Sequence, residues 1–319
     1  MENIKEVLNN VTTLAIAGHT RPDGDCVGSC MALYLYIKKY FPDIQADVYL
    51  ESPKPIFSYI EGFDEIKTEK GEDKVYDLFI SCDASSIDRV AVAADYFNTA
   101  KKTVCIDHHV SNTGFADINH VRGEIGSASE VLYGLLDPEK IDRAIAVAIY
   151  TGMIHDTGVF QYSSTTPDTM RIAGELMKTG FDFNKIIDES FYQKTYLQNQ
   201  VMGRVLAESI MVLDGKCIVG WVKKRDMEFY GVDGKDLDGI ISQLRLTAGV
   251  EAAMFLYELD TQRFKVSLRS NGKVDVSEIA VYFGGGGHVR AAGCELCGSV
   301  YDVINNITAE IERQLAKES

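Results

Sequence analysis

The chain has 319 residues, 46% of them hydrophobic and 25% charged, with a formal net charge of −15. This length suits two domains, each able to bury its own core. The acidic balance excludes a broad basic grip on long nucleic acid, so no long nucleic-acid groove is expected, but it leaves room for a phosphate substrate whose charge is met by bound cations.

Strand-like and helix-like segments alternate through the first half. Strands are expected at 13–17, 46–50, 76–82 and 103–106, apolar runs of the kind that fill a parallel sheet covered on both faces. A helix is expected over 27–40 with Asp25 as its N-cap, and others over 129–136, 142–154 and 169–178. The last has Pro167 and Asp168 at its start and Gly180 just past its end. From about residue 182 to residue 209 the chain is polar and helix-prone, with a connecting helix expected over 194–209. The second half starts with an expected hairpin, 210–213 and 217–222, turning at Asp214-Gly215-Lys216. Strands over 250–259 and 263–269 follow, with helices over 235–247, 276–282 and 301–317. The expected fold class is α/β: a parallel-sheet domain with helices on both faces over residues 1–185, a helical linker over 186–209, and a smaller mixed α+β domain over 210–319.

No uninterrupted apolar run reaches the roughly 18 residues of a membrane span. The polar start, Met1 to Glu6, lacks the apolar core of a signal peptide. Seven cysteines, an odd number thinly spread through apolar runs, suit reduced thiols in the cytoplasm better than a disulfide framework. Cys294 and Cys297 form one C-x-x-C without the second pair that a zinc site needs.

The chemistry-bearing residues sit where apolar runs stop. Residues 14–18 run into His19, with Asp23 and Asp25 in the turn behind it; 78–82 run into Asp83; 104–106 run into Asp107-His108-His109; 144–154 run into His155-Asp156. In an open parallel sheet the strands' carboxyl ends border the ligand crevice. Histidines and carboxylates gathered there suit divalent metals. His19, Asp23 and Asp25 can converge from one turn, although a plain helix-capping loop explains the same residues. Asp83 alone is weak evidence. Asp156 would lie at a helix C-terminus, where a negative charge opposes the macrodipole and invites a cation. Near the C-terminus, Gly284-Gly285-Gly286-Gly287-His288 reads as a nest of backbone N–H groups for an anion, and Arg269 can add a guanidinium fork for phosphate.

H-x-x-x-D-x-D, a strand-end Asp, D-H-H, D-T-G and a later G-G-G-H followed by A-A-G occur in this order across nearly the whole chain. Together they resemble the DHH/DHHA1 phosphoesterase family. The resemblance implies a DHH catalytic domain and a DHHA1 substrate-binding domain at the boundaries given above. It implies that His19, Asp23 and Asp83 hold one metal and that Asp25, Asp83, His108 and Asp156 hold a second, with Asp83 bridging. His109 would then contact the scissile phosphate, Asp107 would position the motif, and Arg269, Gly285, Gly286, Gly287 and His288 would bind the substrate's far phosphate or nucleotide. Ser127-Ala128-Ser129-Glu130 resembles the family's serine-rich stretch beside the site. The implied cofactors are two Mn²⁺ ions, with Mg²⁺ or Co²⁺ as alternatives.

The layout of one domain pair is most similar to members that cut short oligoribonucleotides to 5′-mononucleotides and 3′-phosphoadenosine 5′-phosphate (pAp) to AMP and phosphate. The alternative is a soluble cyclic-di-AMP or pApA phosphodiesterase. A RecJ-like exonuclease, an inorganic pyrophosphatase and a non-catalytic nucleotide-binding module rank below these. The expected partners are short RNA, pAp or a dinucleotide, with no membrane; a homodimer stays open. His155 stands where many relatives carry threonine and is expected behind the ligands rather than among them. His120 is expected to be structural.

Overall fold

The computed structural model describes residues 2–317, which form two units, one ending at Gln193 and one beginning at Lys194. The first unit has strands β1 (Thr13–Ala17), β2 (Gln45–Tyr49), β3 (Leu78–Cys82), β4 (Thr103–Asp107) and β5 (Ile118–Val121). They pair in parallel in the order β2-β1-β3-β4-β5. Its helices are α1 (Gly24–Tyr40), α2 (Ala94–Thr99), α3 (Ala128–Tyr133), α4 (Arg143–Asp156), α5 (Pro167–Met177) and α6 (Phe183–Ile187).

Strand alternation feeds two cores. Leu14, Ile16, Leu78 and Ile80 join the core built with α1, α3 and α4, while Ala15, Ala17 and Phe79 pack on the other face with Tyr49, Tyr76 and Tyr96. The order reverses between β1 and β3, and such a switch point opens a crevice at the strands' carboxyl ends.

Two glycines bring the helix ends to that crevice. A Cβ on Gly28 of α1 would fall 2.5 Å from the Ala148 carbonyl of α4. One on Gly152 would fall 1.9 Å from Ser129 Oγ and 2.5 Å from Asp25 Oδ1. The close crossing places the start of α1, the start of α3 and the end of α4 together. Asp23, not Asp25, caps α1, its Oδ1 accepting from the N–H groups of Asp25 and Cys26 at 3.0 and 3.1 Å. Asp25 is already the second residue of the helix and faces inward instead.

The second unit has α7 (Tyr196–Glu208), β6 (Ile210–Val212), β7 (Cys217–Val222), α8 (Lys224–Tyr230), α9 (Ile240–Arg245), β8 (Ala252–Asp260), β9 (Arg263–Ser270), α10 (Val276–Tyr282), β10 (Gly286–His288), β11 (Ala291–Cys297) and α11 (Val300–Lys317). Its mixed sheet runs β10-β11-β9-β8-β7-β6, antiparallel except for the β7–β8 pair. One face packs on α10 and α11, whose Val300, Val303, Ile304, Ile307 and Ile311 recur at helical spacing. The other face packs Ile218, Ala253 and Phe255 against Val201 and Val205 of α7 and Leu244 of α9.

The stretch read as a linker is therefore divided. Of residues 186–209, those up to Gln193 belong to the first unit, whereas α7 is built into the second unit's core. The glycine run also differs from expectation, because it forms the edge strand β10 rather than an open nest. Gly286 and Gly287 pair with Gly293 and Ala292, and the Gly285 N–H is already donated to the Ala280 carbonyl at 2.7 Å. Gly287, at φ +147°, has no room for a side chain, since a Cβ would fall 2.5 Å from the Ala291 carbonyl. The C-x-x-C pair lies on β11, where a spacing of three puts Cys294 and Cys297 on opposite faces, one buried and one exposed. They cannot share a zinc ion. All seven cysteines are free thiols, six of them buried. Among the described residues no helix is long and apolar enough to cross a membrane.

Candidate metal centre

The crevice gathers His19 from the end of β1, Asp83 from the end of β3, His108 from the end of β4, Asp25 from the start of α1 and Asp156 from the end of α4. His19 Nε2 lies 3.4 Å from Asp83 Oδ2 and 3.7 Å from Asp23 Oδ1. His108 Nε2 lies 3.0 Å from Asp156 Oδ2, 3.5 Å from Asp83 Oδ1 and 3.9 Å from Asp25 Oδ2. In both histidines Nδ1–H donates to a backbone carbonyl, that of Thr20 at 2.8 Å and that of Ile125 at 3.3 Å. This commits Nδ1 to the backbone and turns Nε2 toward the carboxylates, where it carries a proton in the absence of a metal and offers its lone pair once that proton leaves, the arrangement of metal-binding histidines.

The carboxylates are held as firmly. Asp25 is fully buried and accepts from the N–H groups of Ala128 at 2.6 Å and Ser129 at 2.9 Å, the first residues of α3. Ser127 starts that helix by accepting from Glu130 N–H at 3.1 Å. The serine-rich stretch thus presents backbone donors to Asp25. Asp83 has φ +54°, a left-handed conformation uncommon outside glycine. It is 2% exposed, and its Oδ1 makes no hydrogen bond. The imidazole nitrogens beside it, His108 Nε2 at 3.5 Å and His109 Nδ1 at 3.7 Å, make no hydrogen bond to it.

That orphaned oxygen is the test of fit for a metal, and the residues pass it. Asp83 and His108 each belong to two groups whose donor atoms lie within 4.8 Å of one another. These are His19, Cys26 and Asp83; Asp83, His108 and His109; and Asp25, His108 and Asp156. Asp83 and His108 are thus shared between neighbouring donor groups, and the imidazole and carboxylate atoms suit Mn²⁺, Co²⁺ or Zn²⁺ better than an all-oxygen Mg²⁺ shell.

Protonation follows the same logic. Burial opposes a charge on His19 and His108, yet the facing carboxylates prevail and push both up to about 12. Asp25 is driven well above the usual carboxylate range by burial and by the charges of Asp83 and Asp156. Asp83 is held low by His108 and His19 despite its burial. Protons thus occupy the cluster in the place of cations, and metal binding must displace them.

His109 stands apart. Asp107 Oδ1 accepts from its Nδ1–H at 2.8 Å and raises its pKa, while Asn112 Nδ2 donates to the other Asp107 oxygen at 2.7 Å. Asp107 therefore orients His109. Cys26, overlooked in the sequence, lies one turn into α1 beside His19 and Asp83, its S–H directed at the His19 carbonyl. Its signal was its position three residues after Asp23. His155 packs between the rings of Phe57 and Phe191, and Ser190 accepts from its Nε2 at 3.2 Å; it belongs to none of the donor groups. His120, on β5, lines a groove of about 680 Å³ with Arg122, Glu130 and Arg171.

Arg269 and His288 lie in the second unit. The registers pair His288 with Ala291 and Ala291 with Arg269, so both residues project from the same face of the sheet with a small alanine between them.

Residues 13–153 match the DHH family, N-terminal domain, and residues 214–317 match the DHHA1 domain. The chain is 30% identical over 308 residues to the bifunctional oligoribonuclease and PAP phosphatase NrnA of Thermus thermophilus, covering 93% of this chain and 89% of that one. It is 27% identical over 311 residues to the protein of the same name from Bacillus subtilis, covering 96% and 95%. The crystal structure of an exopolyphosphatase-related protein from Bacteroides fragilis has the same fold, with a TM-score of 0.88 at 24% identity over 99% of this chain and 96% of that one.

Proposed function

The chain belongs to the DHH/DHHA1 family of metal-dependent phosphoesterases, and from that premise we propose that it hydrolyses short oligoribonucleotides, roughly dimers to pentamers, to 5′-mononucleotides, and pAp to AMP and phosphate. The observation that carries the chemistry is the buried, unbonded Oδ1 of Asp83 between His108 and His109. The NrnA relatives supply the substrate class.

In this reading His19, Asp23 and Asp83 hold one cation, and Asp25, Asp83, His108 and Asp156 hold the other. Two Mn²⁺ ions would supply Lewis acidity toward the phosphoryl oxygens and a lowered pKa for water. The residues do the rest. The N–H groups of Ala128 and Ser129 keep Asp25 from turning away, and the Thr20 and Ile125 carbonyls keep both imidazoles in one tautomer. Asp107 keeps a proton on His109 Nδ1, and the raised pKa leaves His109 able to donate from Nε2 to a phosphoryl or leaving oxygen. Arg269, His288 and the backbone of Gly285 to Gly287 are assigned to the substrate's far phosphate or nucleotide, the Gly285 N–H itself being already donated to the Ala280 carbonyl. The acidic surface gives a long strand little purchase.

The test is a substrate panel with Mn²⁺: pAp, pApA, cyclic di-AMP, a 5-mer RNA, long single-stranded DNA and pyrophosphate. Turnover of pAp and the short RNA, with little on the long strand, is expected. Selective cleavage of cyclic di-AMP would move the assignment to a cyclic-dinucleotide phosphodiesterase, and equal rates on short and long strands would favour an exonuclease.

A further inference from the structure

Two irregular segments of the first unit meet beside Asp156. The first follows α4, where Gly158, Val159 and Phe160 have φ values of +58°, +54° and +63°. Three successive left-handed residues are unusual, and a β-branched valine rarely adopts this conformation. The turn is pinned from within. Val159 N–H donates to the Ile154 carbonyl at 2.7 Å and Phe160 N–H to Thr157 Oγ1 at 3.1 Å, while both side chains pack on the main core. With those two inward, Gln161 and Tyr162 are left on the surface, Tyr162 49% exposed.

The second segment is a π-helical turn, Asp188–Tyr192, a geometry concentrated at functional sites. It turns Ser190 inward and leaves Tyr192 49% exposed. A hydrogen bond ties the two segments, Gln161 Nε2 donating to the Tyr192 hydroxyl at 3.4 Å. Within the second segment the Phe191 and Tyr192 rings meet edge-on at 5.1 Å. Phe191 in turn packs on His155 at 5.4 Å. The Ser190 hydroxyl donates to the Ile186 carbonyl at 2.7 Å and accepts from His155 Nε2. His155 precedes Asp156 in the chain, so this wall is locked to the residue assigned to the second cation.

Single exposed aromatics are ordinary. Gln161 and Tyr192 meet across two unusual backbone turns one loop from a candidate ligand, and the ring of Tyr162, next in the chain, lies over Gly158, where a Cβ would fall 2.4 Å from its Cζ. We propose that Tyr162, Gln161 and Tyr192 form a nucleobase subsite on the first unit, holding the base of a nucleotide adjoining the phosphate that is cut. The proposal rests on the phosphoesterase reading above and adds where the base binds. Aromatic faces stack on any base, and the Gln161 amide offers both a donor and an acceptor to a base edge, so the subsite selects for a base without selecting strongly among bases.

The test compares wild type, Tyr192→Ala and Tyr192→Phe with Mn²⁺ on a ribodinucleotide and on the same dinucleotide lacking both bases. Calorimetry with a non-hydrolysable phosphorothioate dinucleotide runs alongside. Tyr192→Ala should raise KM for the ribodinucleotide about 10-fold or more, leave kcat and the abasic substrate within about twofold, and weaken phosphorothioate binding to the same degree. Tyr192→Phe, which keeps the ring and loses the Gln161 hydrogen bond, should fall much closer to wild type than Tyr192→Ala. Equal losses on both substrates, no loss on either, or no dinucleotide binding to wild type would overturn the subsite. Binding that depends on Tyr192 without cleavage would overturn the proposed reaction and leave the subsite standing. Cleavage that ignores Tyr192 would do the reverse.

Discussion

The two units place their candidate residues in opposite ways. In the first, His19, Asp25, Asp83 and His108 are buried or nearly so, each fixed by backbone groups or by its neighbours, and charge is concentrated where solvent cannot dilute it. In the second, His288 and the glycines beside it are exposed on an edge strand, and strand register aligns His288 with Arg269, whose guanidinium donates to the Leu268 carbonyl at 3.0 Å. Burial suits ligands that must converge within a few ångströms and release protons to a cation. Exposure on a sheet face suits contacts with a substrate that comes and goes. The difference predicts that damage to the first unit abolishes chemistry, whereas damage to the second weakens substrate use and leaves metal in place.

The largest effect should come from Asp83→Ala. Loss of the carboxylate shared between donor groups should lower phosphoesterase activity by about 1,000-fold or more with the circular dichroism spectrum unchanged. Activity within tenfold of wild type would refute the shared role. Next, His288→Ala should cost about 2–4 kcal/mol in kcat/KM on nucleotides, the scale for removing one partner of a charge-assisted phosphate contact, with metal content unchanged. Loss of metal in that variant would erase the distinction between the units.

Gly152→Ala drives a Cβ into Ser129 and Asp25 and should cost about 1–3 kcal/mol of first-unit stability. Gly174→Ala, in α5 with nothing within 4 Å of the added carbon, should stabilise by up to about 1 kcal/mol. Thermal melts of the two variants check both signs. The smallest effect concerns acid. Lys101, the Thr12 hydroxyl and backbone N–H groups hold Asp77 below the carboxylate range. A lowered pKa contributes stability above its unfolded value, and that contribution fades as pH falls through the folded value. Asp77→Asn should therefore lower Tm slightly at pH 7 and by less at pH 2, where the contribution has begun to fade; an equal drop at both would mean that the carboxylate's charge is not what stabilises.

Most of the fold was legible in the sequence because its strands are apolar runs and its helices carry caps. Residues 13–17 and 276–282 form the strand and helix expected at those bounds. β5 was not legible, since Ile118-Asn119-His120-Val121 is short and half polar, and β10 was hidden by its glycines. The strand-end histidines and carboxylates were legible because a parallel sheet gathers whatever follows its strands. The role of Ala128 and Ser129 was not, since backbone N–H groups leave no mark on residue type. Nor was the wall of Gln161 and Tyr192, whose members are far apart in the chain and meet only through two irregular turns.

If the strand-end cluster is a metal centre in which Asp83 is shared, both ions must feel the loss of that carboxylate. Calorimetric titration of Mn²⁺ into wild type and Asp83→Asn, in two buffers of different ionisation enthalpy, tests it most directly. Two ions per chain should bind to wild type with release of protons, more weakly as pH falls because the histidines and Asp25 must give up theirs, and Asp83→Asn should weaken both sites. Binding of two ions to Asp83→Asn with wild-type affinity, or no proton release from wild type, would contradict the account.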